Sequence, residues 1–319
     1  MIRSSSLLKK SQVSARQGKN GRESAVYTPV HEAFEAVLDA VSCRMRFFQH
    51  AARIYLLLLM GISAAALSEP DHSPWPGGVG VIRIAGDTRP EVMVNDKPAL
   101  VLQSNGEWTA IIGIPLDHDS ASPLMATVTR PGTEPEQVAI DLRAADYRVQ
   151  RLTVDRKYVE PDKSSLDRIF TERKIIDKAL TNWRADDLDD VMLRSPVPGT
   201  RSSSFGSRRI FNDQPRSPHK GMDISATSGT PILAPLDGVV SATGNFYFNG
   251  NTVILDHGQG YISLFCHLSE IDVESGQQIA VGALLGKVGA TGRVTGAHLH
   301  FATYLNGTAV DPALFIESE

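Results

Sequence analysis

Four histidines and one aspartate in the last third of the chain have the types and spacings of metal and acid–base chemistry. His219-Lys220-Gly221-Met222-Asp223 sets an imidazole four residues before a carboxylate, and Ala297-His298-Leu299-His300-Phe301 sets two imidazoles two residues apart. Phe265-Cys266-His267-Leu268 ends an apolar run on a further histidine. The His-x3-Asp spacing carries little information alone, because it arises by chance in many chains. The His-x-His spacing is more telling. In a strand, side chains i and i+2 share a face, so His298 and His300 reach one site while Leu299 enters the core. Zinc accepts neutral imidazole nitrogen and carboxylate oxygen, and a catalytic site uses three protein ligands with water in the fourth position. Two histidines and Asp223 supply that set and leave two histidines for proton transfer. Cys266 is a candidate soft ligand, but it directly precedes His267, so strand alternation turns it the other way and into the core.

These residues need a scaffold, and the sequence around them reads as strands. Over 196–315 glycine punctuates short apolar runs, and no helical period is sustained. No helix follows any glycine cluster, so no phosphate-binding loop is expected. Residues 74–152 also read as strands, at 78–84, 91–95, 99–103, 108–114, 124–130 and 137–142. Turn chemistry separates them, including Asn95-Asp96, Asn105-Gly106 and Pro131-Gly132. Residues 156–192 change character. Pro161-Asp162 and Ser164-Ser165 precede Leu166, Ile169, Phe170, Ile175, Ile176, Leu180 and Trp183, a helical spacing that predicts one or two packed helices. Other polar residues have plain readings: His118 and His257 in turns, Asn251 in a turn after a glycine, Arg208 and Arg209 at the surface or bracing groove loops.

Charge is distributed unevenly. Residues 1–68 carry 9 Lys+Arg against 4 Asp+Glu, and residues 69–319 carry 23 against 32. An acidic body argues against a nucleic-acid partner, since a phosphate backbone needs a basic face. Residues 45–68 have the layout of a secretory signal: Arg46 and Arg53, an uncharged run over 54–66, then Ala66-Leu67-Ser68 before Glu69. That run falls short of the roughly 20 residues that span a bilayer. Membrane contact is therefore expected only through this segment, if it is left uncleaved. Residues 1–44 fit no part of a signal and are read as an over-extended start, with Met45 initiating, or as a disordered leader. With Cys43 removed by processing, Cys266 has no disulfide partner in the chain.

The ordered motifs resemble the LytM/lysostaphin-type zinc endopeptidases, the peptidoglycan DD-metalloendopeptidase family. The resemblance starts at Ser203-Ser204-Phe205-Gly206-Ser207-Arg208 and passes through His219-x3-Asp223 to Gly229-Thr230-Pro231-Ile232 with Ala234-Pro235. It continues with Gly250-Asn251-Thr252-Val253 and Asp256-His257-Gly258, and ends at Gly289, Thr291-Gly292 and Thr295-Gly296-Ala297-His298-Leu299-His300-Phe301. Residues 75–155 resemble the β-domain that precedes the peptidase domain in one branch of the family. Two positions depart from the common pattern: Ala297 where many members have proline, and Ala302 where many have an acidic residue. Neither is a ligand position.

The resemblance implies one Zn2+ per chain held by His219, Asp223 and His300, with His298 and His267 as the catalytic histidines. One histidine takes up a proton near neutral pH, and a second, protonated, steadies the oxyanion. It implies a mainly β protein: an N-terminal β-domain (69–155), a helical linker (156–194) and a LytM-like peptidase domain (195–319) with glycine-rich loops around a metal groove. The implied substrate is the stem peptides and cross-links of peptidoglycan, with D,D-endopeptidase action favoured, in the periplasm or envelope of a Gram-negative bacterium. The alternative is a non-catalytic LytM-like scaffold that binds and activates a cell-wall amidase.

Overall fold

A computed structural model of the chain describes residues 68–316 except 105, 189, 203 and 204. The leader over 1–44, the export segment up to residue 67, Cys43, Ser203 and Ser204 lie outside the described residues. In the first half, strands form over short runs rich in Val, Ile and Thr and in the turns' flanks: β1 (Val79–Ile84), β2 (Glu91–Val94), β3 (Lys97–Pro98), β4 (Leu100–Ser104), β5 (Glu107–Gly113), β6 (Leu124–Thr129) and β7 (Glu136–Ile140). They build two antiparallel sheets, ordered β1-β5-β4 and β3-β2-β6-β7. The expected Asn95-Asp96 turn is a tight hairpin with both residues at positive φ, 48° and 61°, a conformation that Asn and Asp tolerate well.

Period-two alternation makes the three-stranded sheet a middle layer. Val101, Ala110 and Ile112 face the four-stranded sheet and meet Val92, Leu124, Ala126 and Val128. Leu100, Leu102 and Ile111 face the opposite way and join a core with Val191, Leu193, Tyr261 and Leu305. Side-chain amides lock this second contact. Asn306 accepts from the Gly113 amide at 2.8 Å, and Gln259 accepts from the Val101 amide at 3.0 Å. The first half is thus bonded to the second through a shared core.

The second half is built on a ten-stranded sheet. Its strands, with the small sheet beside it, are β8 (Val149–Leu152), β9 (Thr200–Arg201), β10 (Arg208–Phe211), β11 (Gln214–Pro215), β12 (Met222–Ser225), β13 (Pro231–Leu233), β14 (Gly238–Phe246), β15 (Gly250–Gly258), β16 (Tyr261–Ile271), β17 (Gln278–Ile279), β18 (Leu284–Val288), β19 (Leu299–Leu305) and β20 (Thr308–Val310). The main path runs β17-β14-β15-β16-β19-β12-β9, while β11-β10-β8 forms a separate three-stranded sheet. One face of the large sheet is the shared core. The other carries Ile254, Ile262, Leu264, Cys266 and Ala302, partly covered by the end of a helix.

That helix, α1 (Lys163–Leu180), starts where Asp162 accepts from the Ser165 amide, a side-chain N-cap at the position the sequence marks. Only Ala179 and Leu180 of α1 are buried, and Leu166, Phe170 and Ile175 stay exposed, contrary to the packed apolar face expected from their spacing. The reason is polar attachment: Arg168 donates to the Asn245 carbonyl at 2.9 Å, and Glu172 accepts from the Tyr247 amide at 2.7 Å. Among the described residues no second α-helix follows. Instead Asn182 and Arg184 grip the buried Asp256 carboxylate at 2.7 and 3.0 Å. His257 is buried inside β15, where its ring meets the Asp237 carbonyl and the Ser263 hydroxyl, so the expected turn there is strand. No helix among the described residues is long and apolar enough to cross a membrane.

Removing one partner of a buried, hydrogen-bonded ion pair typically costs about 3–5 kcal/mol. Asp256 is 1% exposed and Arg184 28%, so the lower end applies. Asp256→Ala is expected to lose about 3 kcal/mol of stability in urea unfolding, and Asp186→Ala, at an exposed partner of the same arginine, under 1 kcal/mol.

Candidate metal centre

Strand register, more than sequence proximity, assembles the centre. β12 and β19 are antiparallel neighbours with Asp223 opposite His300, and Cys266 of β16 lies opposite His300 on its other side. Directly opposed residues share a face, so Asp223, His300 and Cys266 form one row across the sheet. His219 enters from the segment before β12, buried at 2% exposure, with its ring 4.7 Å from that of His300. Gly221 makes this approach possible. A Cβ there would stand 2.7 Å from His300 Cε1 and 2.6 Å from the Phe301 carbonyl, so the residue between His219 and Asp223 must be glycine for want of space.

Three donor atoms converge. His219 Nε2 lies 2.8 Å from His300 Nδ1 and 3.2 Å from Asp223 Oδ1, and His300 Nδ1 lies 3.0 Å from that same oxygen. Burial pulls His219 down to about 4, which favours the neutral, ligating ring. Burial pushes the Asp223 carboxyl up, but bonds to His219 and His300 outweigh it and hold it below the usual carboxylate range. A tetrahedral zinc with bonds of about 2.0–2.1 Å spaces its ligand atoms by roughly 3.3 Å. The triangle is slightly tighter than that and of the right shape and donor type, so the three residues fit a zinc ion.

The other two histidines stand beside this triangle with one ring nitrogen each committed to a carbonyl. His298 Nδ1 meets the Gly296 carbonyl at 2.9 Å, and its Nε2 lies 3.8 Å from Asp223 Oδ1. His267 Nδ1 meets the Thr291 carbonyl at 2.9 Å, and its ring lies 5.1 Å from that of His298. Such bonds fix which nitrogen faces the groove. His267 reaches the site by a device the sequence does not announce. Val253 pairs with Phe265 and Asn251 with Leu268, so β16 carries an extra residue there, and His267 sits at φ 70°. Strand alternation would send His267 into the opposite face. The bulge re-aims it, and the left-handed backbone costs about 1–3 kcal/mol. Asn251 and Thr291 brace the bulge by donating to the Leu268 carbonyl at 3.0 and 2.8 Å. Asn251 is therefore a strut within β15, and the turn expected at it lies just before, at residues 247–249. Cys266 is in the core, as expected, though on the same face as His300. Burial pushes its thiol up to about 12.

The five residues line an open groove of about 530 Å³. One wall comes from β8, which pairs in parallel with β10 so that Gln150 lies opposite Arg209. Arg209 Nη2 approaches Asp223 Oδ2 at 3.5 Å, while Arg208 beside it is exposed. Arg293, which sequence reasoning did not single out, packs against Phe211 and Phe248 at 4.9 and 4.6 Å from the ring centroids. Burial, with Arg209 and Arg216 nearby, pushes its guanidinium down to about 10. Only the Thr291-Gly292-Arg293 turn signal in the sequence marks this position.

Residues 217–312 match the model of Peptidase family M23, and residues 72–155 match the Peptidase family M23 N-terminal domain. Vibrio cholerae peptidoglycan DD-endopeptidase ShyA is 35% identical over 158 residues, which are 49% of this chain and 32% of that protein. ShyC of the same organism, also a peptidoglycan DD-endopeptidase, is 41% identical over 134 residues, 41% of this chain and 30% of that one. The chain matches about a third of the length of these two curated relatives. A crystal structure of a peptidase M23 from Pseudomonas aeruginosa agrees more broadly. It superposes with a TM-score of 0.65 at 38% identity, covering 76% of this chain and 95% of that one. Similarity over almost that entire structure, with both family models matched in order, shows that the chain belongs to peptidase family M23.

Proposed function

We propose that this protein is an exported zinc metalloendopeptidase that hydrolyses peptide cross-links of bacterial peptidoglycan, with D,D-endopeptidase action on 4→3 cross-linked dimers. The observation that carries the reading is the triangle of His219, Asp223 and His300 flanked, in one groove, by two histidines with fixed ring orientation. His219, Asp223 and His300 would hold a zinc ion, and the chemistry it would supply is a more acidic water and a Lewis acid for the scissile carbonyl. His298 Nε2 accepts the proton of the attacking water and returns it to the leaving amine. His267 rests neutral, because burial pulls it down to about 3. A negative charge developing beside it favours its protonated form, and the ring then stabilises that charge.

The groove suits an extended peptide, since strand edges pair with a peptide backbone. Organisation and location belong to the same reading: a signal over 45–68, an N-terminal β-domain over 69–155, a linker over 156–194 and a peptidase domain over 195–319, working in the envelope of a Gram-negative cell.

Metal analysis should find close to one zinc per chain, strongly reduced in Asp223→Ala and His300→Ala. Gly221→Ala, which drives a methyl against the His300 ring, should weaken zinc binding by about tenfold or more. Normal zinc content in both ligand variants would remove the assignment. In digestion of purified muropeptides, the zinc-loaded protein should convert 4→3 dimers to monomers. His298→Ala and His267→Ala should keep the metal and lose about 10²–10⁴-fold in rate. Intact dimers together with stimulation of an amidase would instead establish the scaffold alternative.

A further inference from the structure

The groove carries the opposite charge to the body that surrounds it. Residues 69–319 have 23 Lys+Arg against 32 Asp+Glu. Among the described residues lining the groove, however, Arg209, Lys220 and Arg293 are cationic and Asp223 is the sole carboxylate. That carboxylate turns one oxygen to His219 and His300 and the other toward Arg209, leaving the charge of Arg293 and Lys220 unanswered within the groove lining. Arg209 is placed with care: its Nε meets Gln150 Oε1 at 3.3 Å, and its Nη2 lies 3.5 Å from Asp223. Its guanidinium therefore borders the metal position. Arg293 is held by two aromatic rings, and its charge lies in the groove lining with no carboxylate but Asp223 there among the described residues. Both guanidiniums pack against the same ring, Phe211. Like charges gathered in a partly dry groove repel each other, and a bound anion relieves that repulsion. A guanidinium's planar fork of donors matches a carboxylate in particular.

We propose that Arg209 and Arg293 form a subsite for a substrate carboxylate beside the metal position. It selects peptide bonds in which the carbon bearing the leaving amine also bears a free carboxylate. This rests on the peptidase reading above and narrows it. In a D-Ala to diaminopimelate cross-link, the released amine and a free carboxylate share one carbon. The same holds for a terminal D-Ala-D-Ala bond, so the site accepts both. An internal glycyl-glycine bond has an amide at that place and leaves the arginines unpaired. The carboxylate is two bonds from the scissile nitrogen, within the short distance that separates Arg209 from the metal ligands. Arg209 is the nearer contact, and Arg293 supplies a second charge held in place by stacking.

The test pairs two dimers that differ only at that group, one with the free diaminopimelate carboxylate and one with it amidated. With the zinc-loaded full chain, kcat/KM for the free acid should exceed that for the amide by roughly 10- to 100-fold, mostly through KM. Arg293→Gln and Arg209→Gln should each shrink the preference, and Arg293→Lys should restore it only in part. Cleavage of both dimers with equal kcat/KM by the unaltered protein overturns the subsite without relying on any variant. Binding of both dimers to the zinc-loaded His267→Ala protein separates this proposal from the peptidase reading. Tighter binding of the free acid by tenfold or more, in a protein whose parent cleaves neither dimer, sinks the peptidase reading and keeps the subsite. Equal binding of both dimers sinks the subsite whatever the parent cleaves.

Discussion

One geometric fact organises the second half of this protein: two imidazoles and a carboxylate bring their donor atoms within 3.2 Å of one another. Donor groups that close desolvate and crowd one another, and they hold together only where a backbone framework leaves them no alternative. Here the framework is the register of β12 against β19, which sets Asp223 opposite His300. His219 is then carried over the pair by a segment that must pass close to the His300 ring, which is why Gly221 lies between His219 and Asp223. The ten-stranded sheet, its buried aromatic pair Phe265 and Phe301, and the attached N-terminal layers keep that register from slipping.

The remaining chemistry is added to this framework by departures from regular structure. His267 faces the groove only because β16 carries an extra residue and a left-handed backbone at that position. The cost is offset by hydrogen bonds from Asn251 and Thr291 to the adjoining carbonyl. Strain of this kind is commonly found where function demands a side chain in a place that regular secondary structure denies it. The groove wall has a similar origin. β8 precedes the linker in sequence, yet it pairs with β10 and positions Arg209 through Gln150. The first half of the chain therefore contributes directly to the groove.

Much of this was legible in the amino-acid sequence, and the parts that were not have physical reasons. Short apolar runs between turn signals locate six strands of the first half, β1, β2, β4, β5, β6 and β7, to within two residues, whereas the two-residue β3 and the edge strand β8 carry no such run. The His298-x-His300 spacing placed both rings on one face. The bulge at His267 was hidden, since no glycine or asparagine marks the left-handed residue and the strand reads as continuous. Of the one or two helices expected over 156–192 a single long one forms, and it stops at Leu180, where Asn182 and Arg184 direct their side chains to Asp256, a partner 74 and 72 residues away. Arg293 escaped notice because its neighbours, Phe211 and Phe248, come from distant strand ends. Local pattern reports local forces, and these three features are set by contacts between remote segments.

The central claim is that the donors meeting at β12 and β19 are two imidazoles and one carboxylate, with Cys266 in the same row left out. X-ray absorption at the zinc edge reads the identity of the donors directly. The account predicts a four-coordinate zinc with two imidazole nitrogens, two oxygens and no sulfur, with bonds of about 2.0–2.2 Å. A sulfur shell at about 2.3 Å would place Cys266 on the metal and contradict it.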